Sequence, residues 1–304
     1  METQLGAISR FIAYLRLQRR CSHHTQKAYH TDLQQFEQFL IRLHKGQKQS
    51  IVQADYYDIR AWTISLLEEQ TLTARSINRK ISTLRSFFRF AQREKIVADS
   101  PVSKCKPLKI VKKITPFLSQ SDAKKLWQSV AHSPATDFKK ARQQVVIALL
   151  YTSGIRLSEL IHLNHNDIDF ANEQIKIQGK AYRQRLVPLL APTLDLLKNY
   201  VQIKERLFKH SGEGPLICTD KGQASYPMLI YRIVRKSLDM VTTIERRSPH
   251  VLRHSYATHL LDGGADLNAV KDLLGHSSLT ATQVYTHASV EKLRKVFQEA
   301  HPRS

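Results

Sequence analysis

Between Asp167 and Pro188 apolar and polar residues alternate, and this is the clearest β region of the chain. Asp167-Ile168-Asp169-Phe170, a turn at Ala171-Asn172, Gln174-Ile175-Lys176-Ile177-Gln178 and Arg185-Leu186-Val187-Pro188 read as a small antiparallel sheet. Most of the remaining apolar residues recur at helical spacing. A chain so patterned folds as a mainly α protein with a small antiparallel β-sheet in its C-terminal part, an α+β arrangement.

The helical segments fall into two groups. Amphipathic stretches over about 3–19, 23–44, 53–69 and 73–95 predict a four-helix N-terminal domain. In the second, Tyr29, Leu33, Phe36 and Leu40 form the apolar stripe. In the fourth, Ile77, Ile81, Leu84, Phe88 and Ala91 lie on one face, with Arg75, Arg79, Ser82, Ser86, Arg89 and Arg93 about opposite. No acid interrupts that basic face before Glu94, so it suits a helix laid on a polyanion rather than a face of paired charges.

Ser100-Pro101 closes this domain at about residue 104, and residues 105–115, basic and broken by Pro107, read as a linker able to follow a phosphate backbone through Lys112 and Lys113. A second domain is expected over 116–304. Its helices start near Ser119 or Ser121 and run over about 136–153, a short piece from Leu157, 191–209 and 226–240. The tail over about 289–304 sets Val290, Leu293, Phe297 and Ala300 on one face.

With 304 residues and 42% hydrophobic composition, both domains can bury cores. Net charge is +21, and it is not confined to a tail: residues 1–104 hold 17 basic against 9 acidic groups, residues 105–304 hold 30 against 17. Excess charge on both halves favours duplex nucleic acid gripped from two sides. Three widely separated cysteines give neither a disulfide framework nor a zinc ribbon, which points to a reducing cytoplasm. No apolar run approaches the ~18 residues a membrane span needs.

The chemistry concentrates late in the chain. Ser248-Pro249 is a helix start, and His250 and Arg253, three residues apart, share one side, while Leu252, Tyr256 and Leu260 take the other. A helix N-terminus beside an imidazole and a guanidinium is a phosphate-binding arrangement. Gly275 closes a helix through Val270, Leu273 and Leu274, with His276 directly after it and Tyr285 nine residues further on in a polar segment. Upstream, Arg156 stands at the start of a short helix in Thr152-Ser153-Gly154-Ile155-Arg156-Leu157-Ser158-Glu159-Leu160.

These motifs, His250-x-x-Arg253, Leu274-Gly275-His276 and Tyr285, together with the Arg156 box and the Gly179-Lys180 hairpin before Arg185 and Pro188, resemble those of tyrosine site-specific recombinases, the phage integrase family, and in particular its Xer branch. Thr25-Gln26-Lys27-Ala28-Tyr29 with Asp32, Leu33 and Phe36 is similar to the start of the Xer core-binding domain. The resemblance spans nearly the whole chain. It implies a two-domain, C-shaped clamp on DNA, with a SAM-like core-binding domain and a tyrosine recombinase catalytic domain. It also implies six catalytic residues, Arg156, Lys180, His250, Arg253, His276 and Tyr285, with Tyr285 as the nucleophile that becomes joined to a DNA 3′-phosphate. No cofactor and no metal are implied. Arg75, Arg79, Arg89, Arg93, Lys112 and Lys113 are expected DNA contacts. Expected partners are duplex DNA at a recombination site, further copies of the chain or a paralogue in a tetrameric synapse joined through the tail, and a DNA translocase activator. The implied role is resolution of chromosome dimers at cell division, in the nucleoid.

Other readings make different demands. A mobile-element integrase shares every residue named, and only the short chain and the tail favour the Xer role. A type IB topoisomerase-like enzyme would relax DNA rather than exchange strands. A DNA-binding module would not use Tyr285. A zinc enzyme could use His250 and His254, but no Glu stands between them as in the His-Glu-x-x-His pattern.

Overall fold

The computed structural model describes residues 6–45, 50–69, 72–110, 116–131, 135–179, 184–208 and 214–275. The chain separates into two compact units, Met1–Lys113 and Ile114–Ser304. Among the described residues no helix is long and apolar enough to cross a membrane.

The first unit packs four helices, α1 (Ala7–Leu17), α2 (His23–Leu43), α3 (Tyr56–Glu68) and α4 (Ala74–Arg93). Polar caps set where they start. Ser22 accepts from the Thr25 N–H at the head of α2, and Thr73 accepts from the Ser76 N–H at the head of α4. The expected start of the third helix near residue 53 is overridden by Asp55. Its carboxylate accepts from the Asp58 N–H at 2.9 Å while Asp58 accepts from the Asp55 N–H at 3.0 Å, a reciprocal box that begins α3 at Tyr56.

Helix α4 buries Ile77, Ile81, Leu84, Phe87, Phe88, Phe90 and Ala91 and leaves Arg75, Arg79, Ser82, Arg89 and Arg93 exposed. Its Phe87 meets Phe11 of α1 edge-on at 5.5 Å. Between α2 and α4 lies a buried carboxylate, Asp32, only 1% exposed. It accepts from Lys80 Nζ at 3.0 Å, Thr83 Oγ1 at 2.9 Å and both terminal nitrogens of Arg79. So much charge is stable away from water only because each oxygen has donors. After α4, the Leu108 backbone is clamped by the Asn78 amide, which donates to its carbonyl at 2.9 Å and accepts from its N–H at 2.8 Å, and Arg85 donates to the Cys105 carbonyl.

The second unit is built around α6 (Phe138–Thr152), which is buried along nearly its whole length. Asp137 caps it through the Lys140 N–H. Around it pack α5 (Gln120–Ala131), α8 (Ala191–Phe208), α9 (Pro227–Asp239) and α10 (Pro249–Asp262), with the short α7 (Leu157–His162) and α11 (Leu267–Leu273) beside them.

The sheet has the order β1-β2-β3, all antiparallel, from Ile168–Asp169, Gln174–Gln178 and Gln184–Pro188. Ile175 pairs with Val187 and Ile177 with Arg185, so Ile175, Ile177, Arg185 and Val187 share one face. The isoleucines and the valine are fully buried there, while Leu186 on the other face is 49% exposed. An arginine on the inner face of a sheet and a leucine on its outer face reverse the usual pattern, and the reason lies in the site described next.

The entry to this unit is fixed on α10. The Leu118 N–H donates to Ser255 Oγ at 2.8 Å, and the Leu118 carbonyl lies 2.9 Å from His259 Nε2. His259 is buried, and its Nδ1 lies 3.1 Å from the Tyr151 hydroxyl. A carbonyl can only accept, so Nε2 carries the proton and Nδ1 accepts from Tyr151.

Candidate active site

Three arginines from three elements converge on one turn. Arg156 is the N-cap of α7, Arg185 lies on β3 and Arg253 on α10. The turn is Leu273-Leu274-Gly275, where α11 ends with Gly275 at φ +65°. Each arginine donates to one of three consecutive carbonyls: Arg185 Nε to Leu273 at 2.9 Å, Arg253 Nη2 to Leu274 at 2.6 Å and Arg156 Nη2 to Gly275 at 2.9 Å. Gly275 is required here on two counts. Its backbone is left-handed, and a Cβ would stand 3.1 Å from Arg185 Nη1 and 3.4 Å from Arg156 Nη1.

Arg253 also donates to the Gly154 carbonyl, which ties α10 to the end of α6. Gly154 has φ +58°, and a Cβ there would enter the Tyr256 ring. Burial, then the nearby charges of Arg156 and Arg185, lower the Arg253 pKa to about 10, with Glu159 opposing in part. Even so, Arg253 remains a cation at neutral pH.

Glu159 is the single acid in this group. Its Oε1 accepts from Arg156 Nη1 at 2.8 Å and from Arg185 Nη1 at 2.9 Å. Its Oε2 accepts from the Arg156 backbone N–H at 2.8 Å and from Arg185 Nη2 at 2.7 Å. Burial alone would raise the pKa of this carboxyl, but the bonds from Arg185 and Arg156 outweigh it and bring it down to about 2. Three guanidinium charges therefore face one carboxylate. The site carries an excess of positive charge, and an anion with several oxygens would complete it.

Arg156 and Glu159, three residues apart, form an ion pair, but Glu159 is buried and shared with Arg185, so it is no surface pair. The Arg156 N–H is engaged by Glu159, so the guanidinium and not the end of α7 is what Arg156 can offer an anion. Ser248 does precede α10 and Pro249 does open it, although the Ser248 side chain makes no capping bond. His250 is exposed, whereas Arg253, one turn on, is buried. Lys180, His276, Tyr285, Lys112 and Lys113 lie outside the described residues.

Of the expected DNA contacts on α4, Arg79 is bound by Asp32. Arg93 lies 4.2 Å over the Tyr14 ring and pairs with Glu94. Arg75 and Arg89 are exposed. Glu159 and Arg185 were missed as site residues. The available signal for Arg185 was a charged residue in phase with Ile175, Ile177 and Val187.

Comparison with known proteins decides the family. Residues 116–292 match the phage integrase family, and residues 8–95 match the phage integrase N-terminal SAM-like domain. The chain belongs to the phage integrase family. It is a site-specific tyrosine recombinase, an enzyme of DNA cleavage and rejoining, as the resemblance implied. It is 36% identical to the tyrosine recombinase XerC of Chlorobaculum tepidum, over 98% of this chain and 94% of that protein. It is 32% identical to the tyrosine recombinase XerD of Staphylococcus saprophyticus, over 98% and 99%. Among solved structures, the XerH site-specific recombinase bound to difH substrate has the same fold, with a TM-score of 0.69, 22% identity and coverage of 96% of this chain and 84% of the other. The mainly helical architecture with a three-stranded antiparallel sheet therefore agrees with the sequence reading.

Proposed function

We propose that the recombinase cuts one DNA strand at a time with Tyr285 as nucleophile, in a site whose Arg156 and Arg253 receive the scissile phosphate. The convergence of these two arginines on the residues immediately before His276 is the observation that carries this reading.

A phosphodiester is anionic and repels a phenolate. A free phenol has a pKa near ~10, so its ionisation at neutral pH costs about 4 kcal/mol. Guanidinium groups on the non-bridging oxygens offset both obstacles and also stabilise the charge that gathers in the transition state. The Tyr285 oxygen bonds to phosphorus, and the bond from phosphorus to the 5′ oxygen breaks. His250 accepts the tyrosine proton, Lys180 donates one to the leaving oxygen, and His276 hydrogen-bonds the phosphate. The phosphotyrosine ester conserves the energy of the broken bond, so a 5′-hydroxyl of another strand can reseal it without ATP.

The likeness to XerC and XerD proteins across the chain supports resolution of chromosome dimers at cell division, with the protein working at the nucleoid in the cytoplasm. Duplex DNA is the partner in this reading, in keeping with the excess of positive charge on both halves of the chain. A tetrameric synapse joined through the tail, a paralogous partner and a DNA translocase activator belong to the same reading. The domain plan is a core-binding domain over 1–104, a linker over 105–115 and a catalytic domain from 116.

The test is recovery of covalent protein–DNA adducts from the host chromosome, followed by strand exchange between two copies of the recovered sequence. Adducts confined to one locus and lost in Tyr285→Phe are expected, with full activity in EDTA. Adducts that persist in Tyr285→Phe, or relaxation without exchange, would reject it.

A further inference from the structure

We infer that Arg185 is a positioning residue for strand cleavage, holding Arg156 in place through Glu159 and fixing the Leu273 carbonyl that precedes the His276 segment. This rests on the reading of Arg156 as a phosphate-binding residue.

The geometry assigns Arg185 no direct part in the reaction. Its side chain is 11% exposed, and the three nitrogens of its guanidinium each make a bond inside the protein. Those bonds join three elements. Two run from β3 to the Glu159 carboxylate on α7, which in turn accepts from the Arg156 guanidinium. The third runs from β3 to the end of α11. Arg185 also lies near the start of β3, five residues after Lys180 in sequence.

Without Arg185, Glu159 keeps only its bonds to Arg156. The carboxylate can then swing, and the Arg156 guanidinium with it. A displacement of about 1 Å in a group that binds the reacting phosphate costs roughly 100-fold in rate. The planar fork is what allows one side chain to serve both oxygens of Glu159 and a carbonyl as well, and a lysine ammonium cannot reproduce it.

The same contacts set an expected pH response. The charged groups facing Glu159 are Arg156, Arg185 and Arg253, all cations. In the native protein Glu159 stays ionised down to about pH 2. Removal of Arg185 takes away the largest of the influences that lower its pKa, so burial, the strongest influence of all, pushes it up. Protonated Glu159 no longer orients Arg156, so the acid limb of the cleavage profile moves to higher pH.

The experiment uses the full chain with Arg185→Lys and Arg185→Gln, and Arg142→Gln as the loss of a buried, hydrogen-bonded arginine elsewhere in the same unit. The probe is a nicked duplex carrying the sequence recovered from chromosomal adducts. Single-turnover adduct formation is followed from pH 4.5 to 8, together with duplex affinity and thermal unfolding. The expected result is a fall of about 10- to 100-fold in adduct rate for both Arg185 variants, with affinity within about threefold, because phosphate contacts at the surface dominate binding. The acid limb should rise in Arg185→Gln and not in Arg142→Gln. Rescue by lysine, an unmoved acid limb, an equal loss in Arg142→Gln, or failure of both Arg185 variants to fold would each overturn the inference. Adducts absent from the unaltered protein, or retained in Tyr285→Phe, would instead reject the underlying reading, and the role of Arg185 with it.

Discussion

His259 Nε2 donates to the Leu118 carbonyl at 2.9 Å, fixing the entry segment of the second unit on the helix that bears His250 and Arg253. Burial lowers the pKa of this imidazole, with the Leu118 bond opposing in part. The folded state therefore favours the neutral ring. Below the ordinary value of 6.5 the unfolded chain takes up the proton first, so stability present above that pH is lost as pH falls. His259→Ala should cost about 2–4 kcal/mol, because the Tyr151 hydroxyl and the Leu118 carbonyl lose a buried partner. Denaturant unfolding at pH 7.5 and 5.5 checks both points: the native protein weakens between them, and the variant, already weaker, changes less.

Gly154→Ala tests the close approach at the end of α6. The backbone at φ +58° and the Tyr256 ring both oppose a Cβ. Left-handed strain of about 1–2 kcal/mol and overpacking of similar size should together lower stability by about 2–4 kcal/mol. Thermal unfolding measures it. A variant as stable as the native protein would mean that Tyr256 moves aside freely.

Asp32→Ala should destabilise the first unit by about 3–5 kcal/mol, because Lys80 would remain buried without its carboxylate. The double change Asp32→Leu with Lys80→Met should recover most of that loss, since neither apolar side chain leaves a charge behind. Urea titration of the three proteins separates an ion pair needed for folding from one that merely fills space.

Arg75→Ala and Arg89→Ala should each weaken binding to duplex DNA and reduce the slope of log affinity against log salt by about one unit if each meets one phosphate. Arg93→Ala should weaken binding less, since that guanidinium already engages Tyr14 and Glu94. Salt titrations on a duplex of unrelated sequence make the comparison. Slopes unchanged from the native protein in all three variants would remove α4 from the DNA face.

Much of this architecture is legible from periodicity. The apolar stripe of α4 and the alternation of β2 translate directly into burial, because a single side of each element meets the core. Gly275 is legible as a helix end because its conformation is local. What periodicity does not show is polar burial. Helix α10 hides Arg253, Ser255 and His259 alongside Leu252, Tyr256 and Leu260, so it has no single apolar face. Asp32 and Arg185 pair with groups distant in sequence, and Glu159, although Arg156 stands three residues before it, is shared with the distant Arg185, which nothing near it in sequence reports.

The three carbonyls of Leu273, Leu274 and Gly275 are read one apiece by three side chains rooted in different parts of the unit. Such a turn has a fixed count. Deleting or inserting one residue there would offer every guanidinium its neighbour's oxygen, so the length of this stretch is as tightly held as Gly275 itself.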